Sequence, residues 1–300
     1  MRKLPKIMAQ AAGIGARPGA LPVPADRKVS ALTLPSVLDR WTEDAAGVRP
    51  AALSSGDNVI TMFDMIGEDF WSGGGITAKS VGAQLRAIGD RPVEVQINSP
   101  GGDMFEGIAI YNVLREHPQP VIVKIMGMAA SAASIIAMAG DTVEIGAASF
   151  LMIHNCWVMA VGNRHDMAEV AEWLAPFDAA MVEVYAARSG QKSADIAKWM
   201  DAESYMSGSV AIDRGFADSL LAADQTKQDE KAKASDQATN SLRAMELTLV
   251  HAGLTRSQAR SRINEIKGTP GAAQSEPTPG AGDGDWMAEA SKLLASLRAG

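Results

Sequence analysis

The sequence predicts an α/β fold built on a parallel sheet, and three observations carry that expectation. Short apolar runs recur at residues 59–63, 93–97, 121–126, 142–145 and 150–153, each the length of a strand. Stretches with helical spacing, 78–88, 104–116 and 131–139, fall between them, which is the pattern of βαβ units. Glycines stand where strands are expected to end, at Gly101-Gly102 and at Gly127.

The elements follow in order. Residues 1–56 are rich in Ala, Gly and Pro with little periodicity, and are expected to form a largely irregular N-terminal arm. A first strand at 59–63 precedes the flexible Gly73-Gly74-Gly75 turn, and Thr77 is placed to cap the helix 78–88. The alternating strand 93–97 runs into Asn98-Ser99-Pro100-Gly101-Gly102, and the helix 104–116 carries Met104, Ile108, Tyr111 and Leu114 on one face. The strand 121–126 is expected to stop at Gly127 and lead into a small-residue helix, 131–139.

Residues 166–187 form a long helical pattern with Val170, Leu174, Phe177, Met181 and Val184 in one stripe and Pro176 inside it, where a kink is expected. The domain, 57–222, closes near Leu221. Residues 223–240 have the polar, charged composition of a linker. The C-terminal tail, 241–300, is expected to hold a helix ending before Gly253 and a second one opened by the capping box Thr255-x-x-Gln258. A Pro/Gly-rich stretch and a short amphipathic piece at 286–297 follow.

Bulk composition narrows the function. The chain has 300 residues, 47% hydrophobic and 21% charged, enough for a sizeable core. Its formal net charge of −7 argues against nucleic acid as the main partner, since phosphate binding needs a basic face. A single cysteine, Cys156, rules out a disulfide within the chain and a cysteine-rich zinc site, and fits a reducing compartment. No run reaches the ~18 apolar residues of a membrane span. The start shows no secretory signal, and no P-loop is present. No metal or organic cofactor is implied, and a cytoplasmic location is expected.

Two segments suggest chemistry. At Ser99-Pro100-Gly101-Gly102, the glycines let the backbone turn sharply and leave amides bare, as an oxyanion hole requires. At Gly127-Met128-Ala129-Ala130-Ser131, a strand leads through small residues to a serine at a helix start; this serine reads either as a nucleophile or as a simple cap, and Ser134 competes for both roles. Of four histidines, His117 reads as a helix-end cap, His165 as exposed and His251 as part of the tail. His154 closes the apolar strand 150–153, where parallel sheets place their sites, though a satisfied core histidine is the alternative. Taken together, a glycine pair, a serine and a histidine after successive strands supply the oxyanion donors, nucleophile and base of acyl transfer.

The blocks INSPGGDMFEGIAIYN, GMAASAASIIAMAG and LMIHN resemble, in order and spacing, the signature blocks of the Clp protease proteolytic-subunit (ClpP) family. The likeness runs from about Asn58 to Leu221 and includes GSVAIDRGFAD near its end. The resemblance implies a serine endopeptidase with the ClpP/crotonase-type α/β spiral, acting on protein or peptide substrates as a homo-oligomeric ring. It implies Ser131 as nucleophile, His154 as base, and the Gly102 and Ala132 amides as oxyanion hole, with Gly101 and Met128 as substrate-binding positions. The family's third triad member, an acid after the Gly190-Gln191 pair, falls on Trp199. Asp201 is the nearest acid and the candidate to orient His154, with Glu203 behind it.

The core followed by a LRAMELTLVHAGLTRSQARSRI-type tail resembles the head-maturation (prohead) proteases of tailed bacteriophages. This implies capsid and scaffold precursors as partners, and the host cytoplasm or procapsid interior as location. Three alternatives stand beside this reading. One is a crotonase-type acyl-CoA enzyme. Another is a serine–lysine peptidase using Lys124. The third is a catalytically weak ClpP-like assembly or scaffold protein, for which Trp199 is the best support.

Overall fold

A computed structural model describes residues 29–31, 33–50, 56–222 and 226–268. The described elements are, in order, β1 (Val29–Ala31), α1 (Pro35–Asp44), β2 (Val48–Pro50), β3 (Val59–Met62), β4 (Gly67–Asp69), β5 (Gly74–Ile76), α2 (Ala78–Ile88), β6 (Val93–Ser99), α3 (Met104–Glu116), β7 (Val121–Ala130) and α4 (Ala132–Ala137). They continue with β8 (Thr142–Ile145), β9 (Phe150–Ile153), β10 (Val158–Ala160), α5 (Arg164–Ser189), α6 (Ser193–Asp201), β11 (Ser204–Ser207), α7 (Gly208–Asp213), β12 (Ser219–Leu220), β13 (Thr226–Gln228), α8 (Glu230–His251) and α9 (Arg256–Gly268). The chain divides into two compact units at Asp229/Glu230.

The expected parallel sheet is present, and β7 is its axis. β6 lies parallel along one side of β7, with β3 beyond it. The other side of β7 is shared between two partners: β8 pairs with 122–125 and β9 with 128–130, both parallel. β11 closes the sheet antiparallel to β9. Because β7 is flanked on both sides, its residues are apolar nearly throughout, as expected of a central parallel strand.

The helices begin where local chemistry starts them. Thr77 and Ser80 form the capping box of α2, with reciprocal bonds of 3.1 Å. Asp103 caps α3 by accepting from the Phe105 and Glu106 amides. The buried face of α3 is Met104, Gly107, Ile110, Tyr111 and Leu114, so Ile110 takes the place expected for Ile108. α5 continues as one helix through Pro176, and buries only Phe177, Met181 and Tyr185. Edge-to-face contacts from Phe177 to Phe105 and Trp173 tie α5 to the start of α3.

Three boundaries differ from expectation. First, β7 does not stop at Gly127 but runs to Ala130. A Cβ on Gly127 would meet Asn98 Oδ1 at 2.7 Å, so the glycine serves close approach of a side chain rather than a turn. Second, the later part of the expected arm is structured. α1 has Pro35 at its first turn and buries Val37, Leu38 and Trp41, and Trp41 is 1% exposed. It packs on Met128, Ala130 and Met152, on the reverse side of β7 and β9. Third, the 223–240 segment is not a linker over its described part: β13 pairs with β2, and α8 begins at Glu230. In the second unit, the Thr255–Gln258 capping box forms as expected, and Arg260 reaches back to both carboxylate oxygens of Glu246 at 3.0 Å. The amphipathic piece expected at 286–297 lies outside the described residues.

Asn98 joins these parts. It sits at an irregularity in the β6–β7 register, fully buried. Its Oδ1 accepts from Trp41 Nε1 at 3.0 Å and from the Met128 amide at 3.1 Å, and its Nδ2 donates to the Ala45 and Val48 carbonyls. Replacing Asn98 by Ala strands several buried polar groups, which is expected to cost on the order of 3 kcal/mol. Urea denaturation of Asn98→Ala against wild type measures this; a loss below about 0.5 kcal/mol would mean that α1 is held by apolar packing alone.

Candidate active site

The register of three parallel strands brings the site together. Ser99 lies opposite Ala129, and Ala130 opposite Met152, so Gly101, Ser131 and His154 emerge at one sheet edge. The ladder continues one step further through Ser131 N–H, which donates to Met152 O at 3.0 Å. Ser131 itself has φ 54° and ψ −126°, a backbone conformation that costs a non-glycine residue about 1–3 kcal/mol. This sharp turn between β7 and α4 is the strand–turn–helix geometry of a nucleophile elbow.

His154 Nε2 lies 2.7 Å from Ser131 Oγ. The imidazole is 7% exposed, and burial lowers its pKa from 6.5 to about 4, opposed in part by a hydrogen bond with the Asn155 backbone. At neutral pH the ring is therefore neutral, the state a general base requires. Ser134 takes no part as nucleophile. Its hydroxyl is buried, donates to Ser131 O at 2.6 Å and bonds Tyr185 Oη at 2.7 Å, bracing the first turn of α4.

Two amides beside the serine have no hydrogen-bond partner among the described residues. Gly101 and Gly102 have φ of +88° and +150°. The Gly101 carbonyl and the Asp103 amide bond Ile66, which leaves Gly102 N–H out of the bridge. Ala132 is the first residue of α4, so its N–H has no acceptor within the helix. Gly102 and Ala132 both line the cavity that holds Ser131 and His154, with Met104, Ile135, Met181 and Tyr185 as its apolar wall.

The two expected substrate-binding positions are placed differently. Gly101 lies beneath the serine turn, where a Cβ would meet Ser131 Cβ at 2.7 Å, and it is not part of the cavity wall. Met128 is fully buried on the α1 side, with its amide held by Asn98, so it too is absent from the wall.

The acid expected beside the base is also not where the sequence suggested. Asp201 Oδ1 accepts from the Asn155 side-chain amide at 2.8 Å, one residue away from His154. Glu203 sits at a turn with φ 47°. Trp199 packs against the core with Arg214 stacked 4.1 Å from its ring centre. No bond among the described residues joins the His154 ring to a carboxylate. Another acid, Asp178 on α5, accepts from the Cys156 amide at 2.6 Å. The sequence carried a signal for it: Asp178 stands three and seven residues before the buried Met181 and Tyr185, on the same helical face. Burial and the Asp178 carboxylate together push the Cys156 thiol well above its usual range, so it is protonated at neutral pH.

The remaining candidates are accounted for. Lys124 is paired with Glu94 at 2.9 Å within the sheet, which removes it as a base. His117 caps α3, with Nε2 2.7 Å from Arg91 O. His165 and His251 are exposed. No helix among the described residues is long and apolar enough to cross a membrane.

A strained serine bonded to a neutral histidine, with two amides beside it, is the arrangement that acyl transfer by a serine hydrolase calls for. Comparison with known proteins narrows the class. Residues 76–224 match the model of the family described as Clp protease. The chain is 35% identical over 133 residues to an ATP-dependent Clp protease proteolytic subunit of Pleurastrum terricola, covering 44% of this chain and 67% of that one. It is 29% identical over 157 residues to the subunit of the same name from Deinococcus radiodurans, covering 50% of this chain and 76% of that one. The subunit of Ligilactobacillus salivarius is 29% identical over 171 residues, covering 55% and 83%. The chain belongs to the Clp protease family, and is a hydrolase of the serine-peptidase class.

The lowered His154 pKa has a direct consequence. With His154 as general base, the acid limb of kcat/KM is expected near pH 4, because the ring stays unprotonated until then. A limb centred at 6.5 or higher would mean that a negative charge stabilises the imidazolium. Stability follows the same sign. Between 6.5 and about 4 the unfolded chain binds the extra proton, so acidification through that window destabilises the fold, and His154→Gln removes this component.

Proposed function

We propose that the chain is a serine endopeptidase in which Ser131 is the nucleophile, His154 the general base, and the Gly102 and Ala132 amides the oxyanion hole. The observation that carries this reading is the 2.7 Å bond between a neutral imidazole and a serine on a strained turn. His154 Nε2 takes the Oγ proton as Oγ attacks the peptide carbonyl carbon. The two amides receive the resulting oxyanion. The imidazolium then protonates the leaving amine, which departs and leaves an acyl ester on Ser131. A water, deprotonated by the same nitrogen, attacks that ester and frees the serine. The apolar wall of Met104, Ile135 and Met181 supports an apolar side chain next to the scissile bond.

The assembly we propose is a homo-oligomeric ring. The N-terminal part of α5, from Arg164 to Glu169, is exposed, and so are the apolar Val161 and Met167 beside it, as suits a segment that meets another copy. The substrates we propose are capsid and scaffold precursors of a tailed phage, cleaved inside an immature shell or in the host cytoplasm. The support for this finer role is the likeness of the core-plus-tail arrangement to head-maturation proteases, with α8 and α9 lying beyond the matched residues. The second reading, a catalytically weak assembly protein, is favoured by one observation: Trp199 in place of the orienting acid.

Hydrolysis of fluorogenic peptides tests the activity. Ser131→Ala and His154→Ala are each expected to lower kcat/KM by about four to six orders of magnitude with the fold intact. Near-wild-type turnover in His154→Ala would remove it as the base. Co-expression with capsid and scaffold precursors tests the role. Wild type is expected to process them and Ser131→Ala to leave them whole; intact precursors beside a peptidase-active wild type would confine the reading to peptide hydrolysis.

A further inference from the structure

We propose that Asp178 and Asp201 together act as a two-carboxylate clasp that positions His154 through the two residues after it, in place of a single acid bonded to the ring. The inference rests on the reading of Ser131 and His154 as nucleophile and base.

His154 closes β9, and residues 154–157 have no regular structure of their own. On one side ladder pairing ends at Ile153, which pairs with Ser204, and on the other it resumes only at Val158, which pairs with Ala31. Something else must hold the ring at 2.7 Å from the serine, because a base displaced by even 1 Å loses much of its effect. The Trp199 side chain, where an acid is expected, is apolar and committed to the core with Phe216 and Arg214.

Two anchors grip the segment instead, from two different helices. From the end of α6, Asp201 Oδ1 accepts from Asn155 Nδ2 at 2.8 Å. From the middle of α5, Asp178 Oδ1 accepts from the Cys156 backbone amide at 2.6 Å. The Cys156 thiol lies close to the same carboxylate, which helps to push the thiol pKa up. Asp178 lies one turn before Met181 and two before Tyr185, both buried cavity-wall residues, so α5 is packed against the site at this point. Burial, and to a lesser degree the nearby Asp201 charge, raise the Asp178 pKa, while hydrogen bonding from Cys156 opposes that rise.

The clasp differs from a triad acid in what it needs. A triad acid supplies charge to the imidazolium, whereas these carboxylates need only accept hydrogen bonds. An asparagine at 178 keeps an acceptor oxygen for the Cys156 amide; an alanine does not. Charge is therefore dispensable at 178 and the acceptor is not.

The test is the rate at which a fluorophosphonate labels Ser131 in the full chain, measured with thermal stability for Asp178→Ala, Asp178→Asn and Asp201→Ala. This rate reports the alignment of base and nucleophile without peptide binding. Asp178→Ala is expected to slow labelling by about 10- to 100-fold, and Asp178→Asn to restore it to within about threefold of wild type. Asp201→Ala is expected to slow labelling by about 10-fold at unchanged melting temperature, and decides the matter if Asp178→Ala does not fold. Wild-type rates in folded Asp178→Ala or in Asp201→Ala would overturn the clasp, as would an Asp178→Asn variant as slow as Asp178→Ala. Failure of the wild-type chain to label at Ser131 would instead strike the underlying assignment of the serine.

Discussion

The site depends on the register of three parallel strands. Ser99 opposite Ala129 and Ala130 opposite Met152 place the glycine turn, the serine and the histidine at the same level of the sheet. A slip of one residue would turn every side chain of the slipped strand to the opposite face. β7 carries most of this burden, because it is held along one whole side by β6 and along the other by β8 and then β9. The irregularity at Asn98 lets the β6–β7 pairing shift register before the glycine turn, and the Asn98 side chain fixes the far end of β7 through the Met128 amide. The α1 segment then covers that fixed end from behind. The sheet edge that carries Ser131 and His154 is thus supported by a polar pin and an apolar cover on its reverse side.

Burial of the histidine has two opposed effects. It keeps the imidazole neutral and ready to accept the serine proton. It also disfavours the imidazolium that the proposed mechanism forms: the drop from 6.5 to about 4 corresponds to about 3 kcal/mol against the charged ring in the resting site. In an acid-bearing triad, a carboxylate offsets such a cost. Here the ring finds the Asn155 backbone, and the nearest acids act on the neighbouring residues. The oxyanion itself offers compensation, since it forms beside the imidazolium as the proton moves. On this account the chain relies on alignment more than on a fixed charge, and the holding of residues 154–156 from α5 and α6 matters accordingly.

Much of this was legible in the sequence, and the failures have physical causes. The strands 142–145 and 150–153 and the helices 78–88 and 104–116 were read at their observed bounds because their periodicity and caps agreed. Gly127 misled because glycine serves both turns and close approaches, and only the position of Asn98 separates the two. α1 was missed because Ala, Gly and Pro dominate residues 1–56, although Pro35 followed by Val37, Leu38 and Trp41 is a helix start with an apolar stripe. The start of α8 was missed because polar composition suits an exposed helix as well as a linker. Within the site, Ser131, His154, Gly102 and Ala132 came from motif order. Met128 was misplaced because strand alternation around the glycine could not be judged. Asp178 was passed over because a single acid on a long helix becomes informative only when the residues across from it are known.

The most direct test of the account is mass-spectrometric mapping of the adduct formed when the folded chain meets a serine-directed fluorophosphonate, with heat-denatured chain as control. The account predicts one adduct, on Ser131, that requires the native fold and leaves Ser134 unmodified. An adduct on Ser134, or none on the native chain, would contradict the claim that the strand register builds an activated serine at position 131.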